Sequence, residues 1–380
     1  MVAFRLPFCF FRIMSRPQFQ LGGQALIEGV MMRGPRFVGA AVRRADGSIQ
    51  TRVEEFTSIL KKRPYLNLPL VRGIFALFEM MKLGMGYLNW SSNLALEDES
   101  ARKEGEETKK AIATFEEPLT GTPILTETEP ASNPHAEQDA KTGNALPIWL
   151  FLITIAGSLG LGALLFVVTP NLLTHFVFEP FLGNEKRSSI VALTFIEGTI
   201  KLLIFVAYVY AIGRRKQIRR VFEYHGAEHK VVYAAENRCP ITPAGARGFD
   251  TPHPRCGTGF ALLTVVVSIF CYSVLPWPDN HFTRVGLRMC LLPLVAGISY
   301  EILKATVNPR LSAIAILVVT PGMWLQRLTT EHPDDEQLEV ACEAMRVLLE
   351  AENIDLNEPA SAPNVLIDGA PIAAPTAGQH

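Results

Sequence analysis

Long apolar runs fill much of the second half of the chain. Residues 146–169 contain no charged side chain, and a run of this length can cross a hydrocarbon core of about 30 Å. A later run at residues 311–325 is shorter and contains Pro321-Gly322, which favours a re-entrant or surface-lying helix. The pattern predicts membrane-spanning helices at residues 146–169, 188–213, 257–275 and about 285–303.

The N-terminal part follows a different pattern. Apolar and polar residues alternate over residues 36–44 and again over residues 49–53, with the turn sequence Asp46-Gly47 between them. This arrangement is typical of a β-hairpin, so we expect a small β unit over residues 22–56.

The next segment, residues 66–96, has mixed helical character. It is apolar enough to touch a membrane but carries Arg72, Glu79 and Lys82. Those charges favour an interfacial or core-docked helix over a span.

Three remaining regions are polar or of low complexity. Residues 97–145 hold 12 acidic and 5 basic side chains without an apolar period, which predicts a disordered linker. Residues 334–353 show helical spacing and an acidic start, which predicts a soluble amphipathic helix. The Ala- and Pro-rich residues 359–380 are predicted to be disordered.

Composition narrows the class of protein. Only 19% of residues are charged, against about 25% in an ordinary soluble domain. The balance of 36 basic and 37 acidic side chains excludes a nucleic-acid binder that relies on bulk charge. Six cysteines in 380 residues do not form a disulfide framework.

These patterns together predict a mainly α, polytopic helical membrane protein. It has about four transmembrane helices, a re-entrant or interfacial helix and a small N-terminal β unit. The predicted regions are an N-terminal extension (1–18), a β unit with an interfacial helix (19–96), the acidic linker (97–145), transmembrane helices 1 and 2 (146–213), a His-rich loop (214–257), transmembrane helices 3 and 4 with the re-entrant helix (258–328), a tail helix (329–358) and a disordered tail (359–380).

The distribution of Lys and Arg predicts the orientation in the membrane. Residues 214–257 contain nine basic residues, residues 171–188 contain two and residues 276–284 contain one. Because basic loops stay on the cytoplasmic side, we expect a multi-pass protein of the cell membrane with a cytoplasmic His-rich loop. Four spans then leave both termini in the cytoplasm.

The strongest chemical signal lies in that loop, in the sequence His225-Gly-Ala-Glu228-His229. On a helix, residues four apart share one face, so both imidazoles would point the same way. Two imidazoles at this spacing suit a divalent metal, with zinc favoured, and a neighbouring carboxylate can deprotonate a metal-bound water. The spacing matches the inverted zinc-protease motif.

A third metal ligand must come from elsewhere in the chain. Glu301 is predicted at the cytoplasmic end of the fourth span, either as a ligand or in a structural ion pair with Lys304 or Arg310. His253 and Cys256 are alternative ligands, because His and Cys three apart can also bind zinc. Cys256 is otherwise a small buried residue or, beside Arg255 and a helix N-terminus, a nucleophile.

A second polar feature lies inside the second span. Glu197 and Lys201 are four apart in the favoured order, which predicts an intramembrane pair facing other helices. Such a pair serves either packing or a proton or ion path.

At these residues the sequence resembles the YqhQ-like family of bacterial membrane proteins, which carries a domain of unknown function (1385) and is described as predicted metal-dependent enzymes. The resemblance implies membrane residence and a suspected metal site, but no substrate. The matching stretches are residues 22–35, 220–230, 253–258, 292–301 and 321–326.

Three functional hypotheses follow. The first is a metal-dependent enzyme of hydrolase type, with Glu228 as general base. The second is a membrane scaffold or assembly factor with a structural metal or polar cluster, which recruits a cytoplasmic protein through the acidic linker or tail helix. The third is an ion-coupled transporter. A site closed by four protein ligands is typical of a structural metal, and an open three-ligand site is typical of catalysis.

Overall fold

The computed structural model describes residues 21–115, 148–183, 187–254, 256–276, 280–305 and 312–354, with residues 278 and 356. The fold is mainly helical, as predicted, with one four-stranded antiparallel sheet near the N-terminus. The strands follow one another in the order β1 (Gly22–Leu26), β2 (Gly29–Arg33), β3 (Phe37–Arg43) and β4 (Ile49–Glu55).

Twelve α-helices follow the sheet within the described residues. A π-helical turn at Leu164–Val168 joins the third helix to the fourth, and a second one at Thr174–Phe178 joins the fourth helix to the fifth. The helices are α1 (Ile59–Lys62), α2 (Val71–Phe115), α3 (Ile148–Ala163), α4 (Thr169–Leu173), α5 (Glu179–Leu182), α6 (Arg187–Gly213), α7 (Lys216–Glu236), α8 (Pro243–Arg247), α9 (Gly257–Ser273), α10 (His281–Ala305), α11 (Ser312–Thr329) and α12 (Asp335–Glu352).

The predicted hairpin is confirmed by the pairing of β3 with β4. Arg43 is the partner of Ile49, and Gly47 in the turn has a φ of 86°, a conformation that glycine adopts without strain. The hairpin is part of a larger sheet because β1 and β2 extend it on the side of β3.

Both faces of the central strands are buried. Val38, Ala40 and Val42 pack on one face against Tyr87 and Leu94 of α2. On the other face, residues of β2 and β3 share a core with α7 and α12. The sheet therefore holds the first half of α2 against one side and the motif helix α7 against the other.

The predicted tail helix is confirmed as α12. It begins with a capping box in which Asp334 and Gln337 satisfy each other's backbone N–H groups. Near its C-terminus the buried Glu352 carboxylate accepts hydrogen bonds from the backbone N–H groups of Arg36 (2.6 Å) and Phe37 (2.7 Å). The apolar face of this helix is thus covered by the protein's own sheet and by α7.

The acidic linker begins as helix, which corrects the prediction of disorder from residue 97. Helix α2 runs for 45 residues and ends at Phe115. Pairs four residues apart, such as Glu99 with Lys103 at 2.8 Å, stabilise the polar second part of this helix, where residues 101–107 are exposed. The predicted linker from residue 116 to 145, the extension 1–18 and the tail 359–380 lie outside the described residues.

Three helical segments are long and apolar enough to cross a membrane, judged by length and composition: Ala156–Leu182, Ser188–Gly213 and Phe282–Ala305. The first extends beyond the predicted residue 169 because the π-helical turns continue the helix. The predicted third span forms a shorter apolar helix, Gly259–Ser273. The predicted re-entrant run forms α11, with Pro321 inside it. How many of these helices cross stays a prediction.

Candidate metal centre

The His-x-x-Glu-His motif lies in the middle of α7, where the helix becomes buried. His225 and His229 lie on one face, as their spacing predicts, with ring centroids 4.5 Å apart. Gly226 between them allows the backbone of Glu331 to pack closely against α7, because a Cβ atom at residue 226 would lie 2.0 Å from the carbonyl oxygen of Glu331. The chain after α11 therefore passes directly over the motif.

Cys256 joins the two histidines from the segment that precedes α9. Its Sγ atom lies 3.2 Å from Nε2 of His225. The nearest donor atoms of His225, His229 and Cys256 all lie within 4.8 Å of one another, and these three residues form the group found in the described part of the chain that could hold a metal ion. We call this group the His–Cys cluster.

Backbone carbonyls orient both imidazoles of the His–Cys cluster. Nδ1 of His225 lies 2.9 Å from the carbonyl oxygen of Thr329, and Nδ1 of His229 bonds to that of Thr251. Metal-ligating histidines commonly donate one ring N–H in this way, which leaves the other nitrogen for the metal.

Nε2 of His229 is the clearest sign that a group belongs in the His–Cys cluster. This atom is buried and has no hydrogen-bond partner among the described residues. Leaving a buried polar atom unpaired costs about 1–3 kcal/mol, so such atoms usually have a partner. Two imidazole nitrogens and one thiolate form a donor set that zinc prefers. The residues present therefore fit a zinc-like ion.

Glu228 lies beside this cluster, with its Oε2 atom 3.5 Å from Nε2 of His229. Burial raises the pKa of Glu228 to about 7, with a further rise from Glu236 and an opposing effect from His225. A carboxylate that titrates near neutral pH is suited to accept and return a proton. Glu228 thus lies next to the His–Cys cluster, and its role as a general base stays a prediction.

Gly23 of β1 lies directly against the Glu228 side chain. A Cβ atom at residue 23 would lie 2.8 Å from Oε1 of Glu228 and 2.6 Å from the carbonyl oxygen of Met31. The sequence did not identify Gly23, because the contact joins a strand to a helix about 200 residues away.

His253 does not belong to the His–Cys cluster, although it lies nearby. Its ring centroid is 5.6 Å from that of His229, and its Nε2 atom lies 3.5 Å from a carboxylate oxygen of Glu236. Its backbone forms two hydrogen bonds with the side chain of Gln326. This corrects its predicted place in a four-ligand set: His253 ties the segment before α9 to α11.

Glu301 also lies apart from the His–Cys cluster. Its carboxylate receives two hydrogen bonds from Arg72, at 2.7 and 2.5 Å, and one from the backbone of Leu70. The ligand prediction is therefore corrected in favour of the ion pair. Its hydrogen-bonded partner is Arg72 from α2, where the sequence pointed to Lys304 or Arg310.

The predicted pair of Glu197 and Lys201 is present in α6, at 3.8 Å. The sequence missed the third member, Arg288 of α10, which forms a closer ion pair with the buried Glu197. The sequence did contain a signal for it, because Arg288 is a charged residue inside the fourth apolar run. The aromatic ring of Tyr272 lies 5.5 Å from the Arg288 guanidinium. These residues form a separate charged group among the apolar helices.

Comparison with known proteins gives a family without an assigned activity. Residues 68–351 match the family model described as "Protein of unknown function (DUF1385)". The chain is 33% identical over 350 residues to the "Uncharacterized protein YqhQ" of Bacillus subtilis (strain 168). The aligned residues make up 91% of this chain and 97% of that protein. The solved structures yielded no match.

Proposed function

Since the chain belongs to the DUF1385 family of unknown function, we propose from the site itself that the protein is a metal-dependent enzyme of hydrolase type in the cell membrane. The metal would be zinc, held by His225, His229 and Cys256. The observation that carries this proposal is the buried Nε2 atom of His229, which has no hydrogen-bond partner among the described residues and lies next to two further zinc-type ligands.

The three candidate ligands found among the described residues support catalysis over a purely structural role. Three ligands leave one tetrahedral position for water or substrate, whereas structural zinc sites are usually closed by four. His253, the fourth residue that the sequence suggested, is engaged with Glu236 and Gln326 instead.

Glu228 would act as the general base. A bound zinc ion would supply Lewis acidity to a carbonyl or phosphoryl oxygen of the substrate. Glu228 would take the proton from the attacking water and return it to the leaving group, so that one bond is hydrolysed for each water consumed.

The apolar helices support membrane residence. Cys256 directly precedes α9, and the Thr329 carbonyl that orients His225 ends α11. The His–Cys cluster would therefore lie at the membrane surface. The nine basic residues in 214–257 favour the cytoplasmic side.

Metal analysis by mass spectrometry tests the proposal. The full chain is purified in detergent without chelator, beside the His225→Ala/His229→Ala double variant. We expect about one zinc per chain in the wild type and loss of that zinc in the double variant. His332→Ala is the matched control, since this exposed histidine lies outside the His–Cys cluster. A folded wild type without metal would overturn the proposal.

A structural role is the second candidate, and one observation favours it. A metal in the His–Cys cluster would hold α7 to the segment before α9, and the contact of His225 with the Thr329 carbonyl would tie the end of α11 to the same site. In this scaffold hypothesis a cytoplasmic partner would bind the exposed, acidic residues 99–107 of α2, because the apolar face of α12 is already covered. Unfolding on metal removal, without turnover by the loaded protein, would support it.

An ion-coupled transporter is the third hypothesis, and it would use Glu197, Lys201 and Arg288. The buried charges support it, but they are equally suited to joining α6 to α10.

A further inference from the structure

We propose that the first half of α2 lies in the plane of the membrane surface and inserts its exposed apolar face into the cytoplasmic leaflet. This inference rests on the membrane residence proposed above. It adds a lipid-binding surface that lies outside the apolar spans and outside the His–Cys cluster.

The exposed face is a continuous apolar stripe. Leu77, Phe78, Met81 and Met85 follow one another at helical spacing, and the side chains of Phe78 and Met81 are 58% and 56% exposed. Contiguous apolar surface on a protein usually marks an interaction site.

The opposite side of the same helix is already occupied. Tyr87 and Leu94 pack into the core beneath the sheet. Glu79 is buried and accepts hydrogen bonds from the Ser58 hydroxyl (2.8 Å) and the Ile59 backbone (2.7 Å). These contacts fix the rotation of α2 about its own axis. The apolar stripe therefore stays on the surface of the protein.

The start of α2 is attached to the end of an apolar helix. Arg72 is paired with Glu301, four residues before α10 ends at Ala305. The approach is close, because a Cβ atom at Gly73 would lie 2.7 Å from Cβ of Tyr300. A Cβ atom at Gly297 would lie 2.5 Å from the Leu70 carbonyl oxygen. If α10 spans the membrane, α2 begins at the membrane surface.

The neighbouring charges fit an anionic leaflet. Lys61, Lys62 and Arg63 are exposed just before α2, and Lys82 is exposed among the apolar residues. Basic residues near the surface attract anionic lipid with about 1 kcal/mol each. The exposed Tyr65 adds an aromatic side chain of the type that favours the headgroup region.

Because the start of α2 contacts the end of α10, the bilayer is the partner that covers this apolar stripe. A helix with one apolar face and nearby basic residues is a recognised form of interfacial anchor. The second half of α2 is different, since residues 97–107 are polar and include Glu104, which is exposed. We expect that half to leave the surface and lie in water.

Fluorescence quenching tests the depth of α2 directly. A genetically encoded, environment-sensitive fluorescent amino acid replaces one residue at a time in the full chain: Phe78, Leu203 or Glu104. Leu203 is an exposed residue in the middle of α6 and reports on membrane residence itself. The protein is reconstituted in vesicles of phosphatidylcholine and phosphatidylglycerol, and lipids brominated on the acyl chain are compared with aqueous iodide as quenchers.

We expect brominated lipid to quench the probes at 78 and 203 at least about twofold more than the probe at 104, with iodide showing the reverse order. Quenching at 203 but not at 78 would overturn the inference and leave membrane residence intact. A probe at 78 that is shielded from both quenchers would also overturn it, since a protein or a second copy would then cover the stripe. Absence of lipid quenching at 203 would overturn membrane residence as well.

Discussion

Sγ of Cys256 lies 3.2 Å from Nε2 of His225, although 31 residues separate them in the chain. One residue belongs to the motif helix α7 and the other directly precedes the apolar helix α9. Their approach turns a two-histidine motif into a three-ligand group. It also places that group where the globular part of the protein meets its apolar helices.

Replacing Glu228 with Gln should change how stability depends on pH. Burial raises the pKa of Glu228 to about 7 from an ordinary 4.5, so the folded state holds this proton more tightly than the unfolded state does. The contribution of Glu228 to the stability of the metal-free wild type should therefore fall as pH rises from 4.5 to 7 and then level off. The variant lacks this loss. We compare the free energy of unfolding of the variant with that of the wild type at each pH. The difference, variant minus wild type, should be about 3 kcal/mol larger at about pH 8 than at about pH 4.

Denaturant unfolding in the presence of chelator measures this difference. Equal pH profiles for the two proteins would contradict the assigned burial of the carboxyl group. In the metal-loaded protein the same substitution should retain zinc but lower any hydrolytic turnover by about 10²–10⁴-fold.

Gly23→Ala should disturb the Glu228 side chain without changing any residue of α7. The new Cβ atom would meet the Met31 carbonyl oxygen at 2.6 Å, and this backbone atom cannot move aside cheaply. Overpacking of this kind costs about 1–3 kcal/mol. Gly22→Ala is the control, because a Cβ atom at the neighbouring position meets nothing within 4 Å. Thermal unfolding of both variants is the measurement, and equal stabilities would refute the close contact.

Much of the local structure follows from the sequence, while the partners of its charged residues do not. The alternation around Asp46-Gly47 and the helical spacing of His225 and His229 are short-range patterns set by the backbone. Glu301 could not be assigned in the same way, since its partner Arg72 is 229 residues away in the chain. Nearby basic residues offered an equally plausible pairing. The sequence supplied the chemistry of each residue but not the tertiary distances that decide its role.

Glu352→Ala should detach the end of α12 from the sheet. The buried carboxylate accepts the N–H groups of Arg36 and Phe37, and its removal leaves both donors without that partner. We expect a loss of about 2–4 kcal/mol in the free energy of unfolding. Glu350→Ala, which removes an exposed carboxylate two residues earlier, should cost less than about 1 kcal/mol. If the two variants lose equal stability, Glu352 does not hold the helix in place.

Glu197→Gln should destabilise the apolar helices more than Lys201→Met does. Loss of the Glu197 charge breaks its ion pair with the buried Arg288, and breaking a buried pair typically costs about 3–5 kcal/mol. Lys201 lies farther from the carboxylate, at 3.8 Å, and its side chain is 20% exposed, so its removal costs less. Thermal unfolding in detergent compares the two. The opposite ranking would mean that Lys201, rather than Arg288, is the main partner of Glu197.

X-ray absorption at the zinc edge of the purified full chain tests the metal centre most directly. We expect one sulfur at about 2.3 Å and two imidazole nitrogens at about 2.0–2.1 Å, with a light atom from water in the fourth position. Cys256→Ser should remove the sulfur contribution, while Cys239→Ser should leave it unchanged, because Cys239 lies outside the cluster. A spectrum without sulfur, or one whose sulfur survives Cys256→Ser, would contradict the assignment of His225, His229 and Cys256 as the metal site.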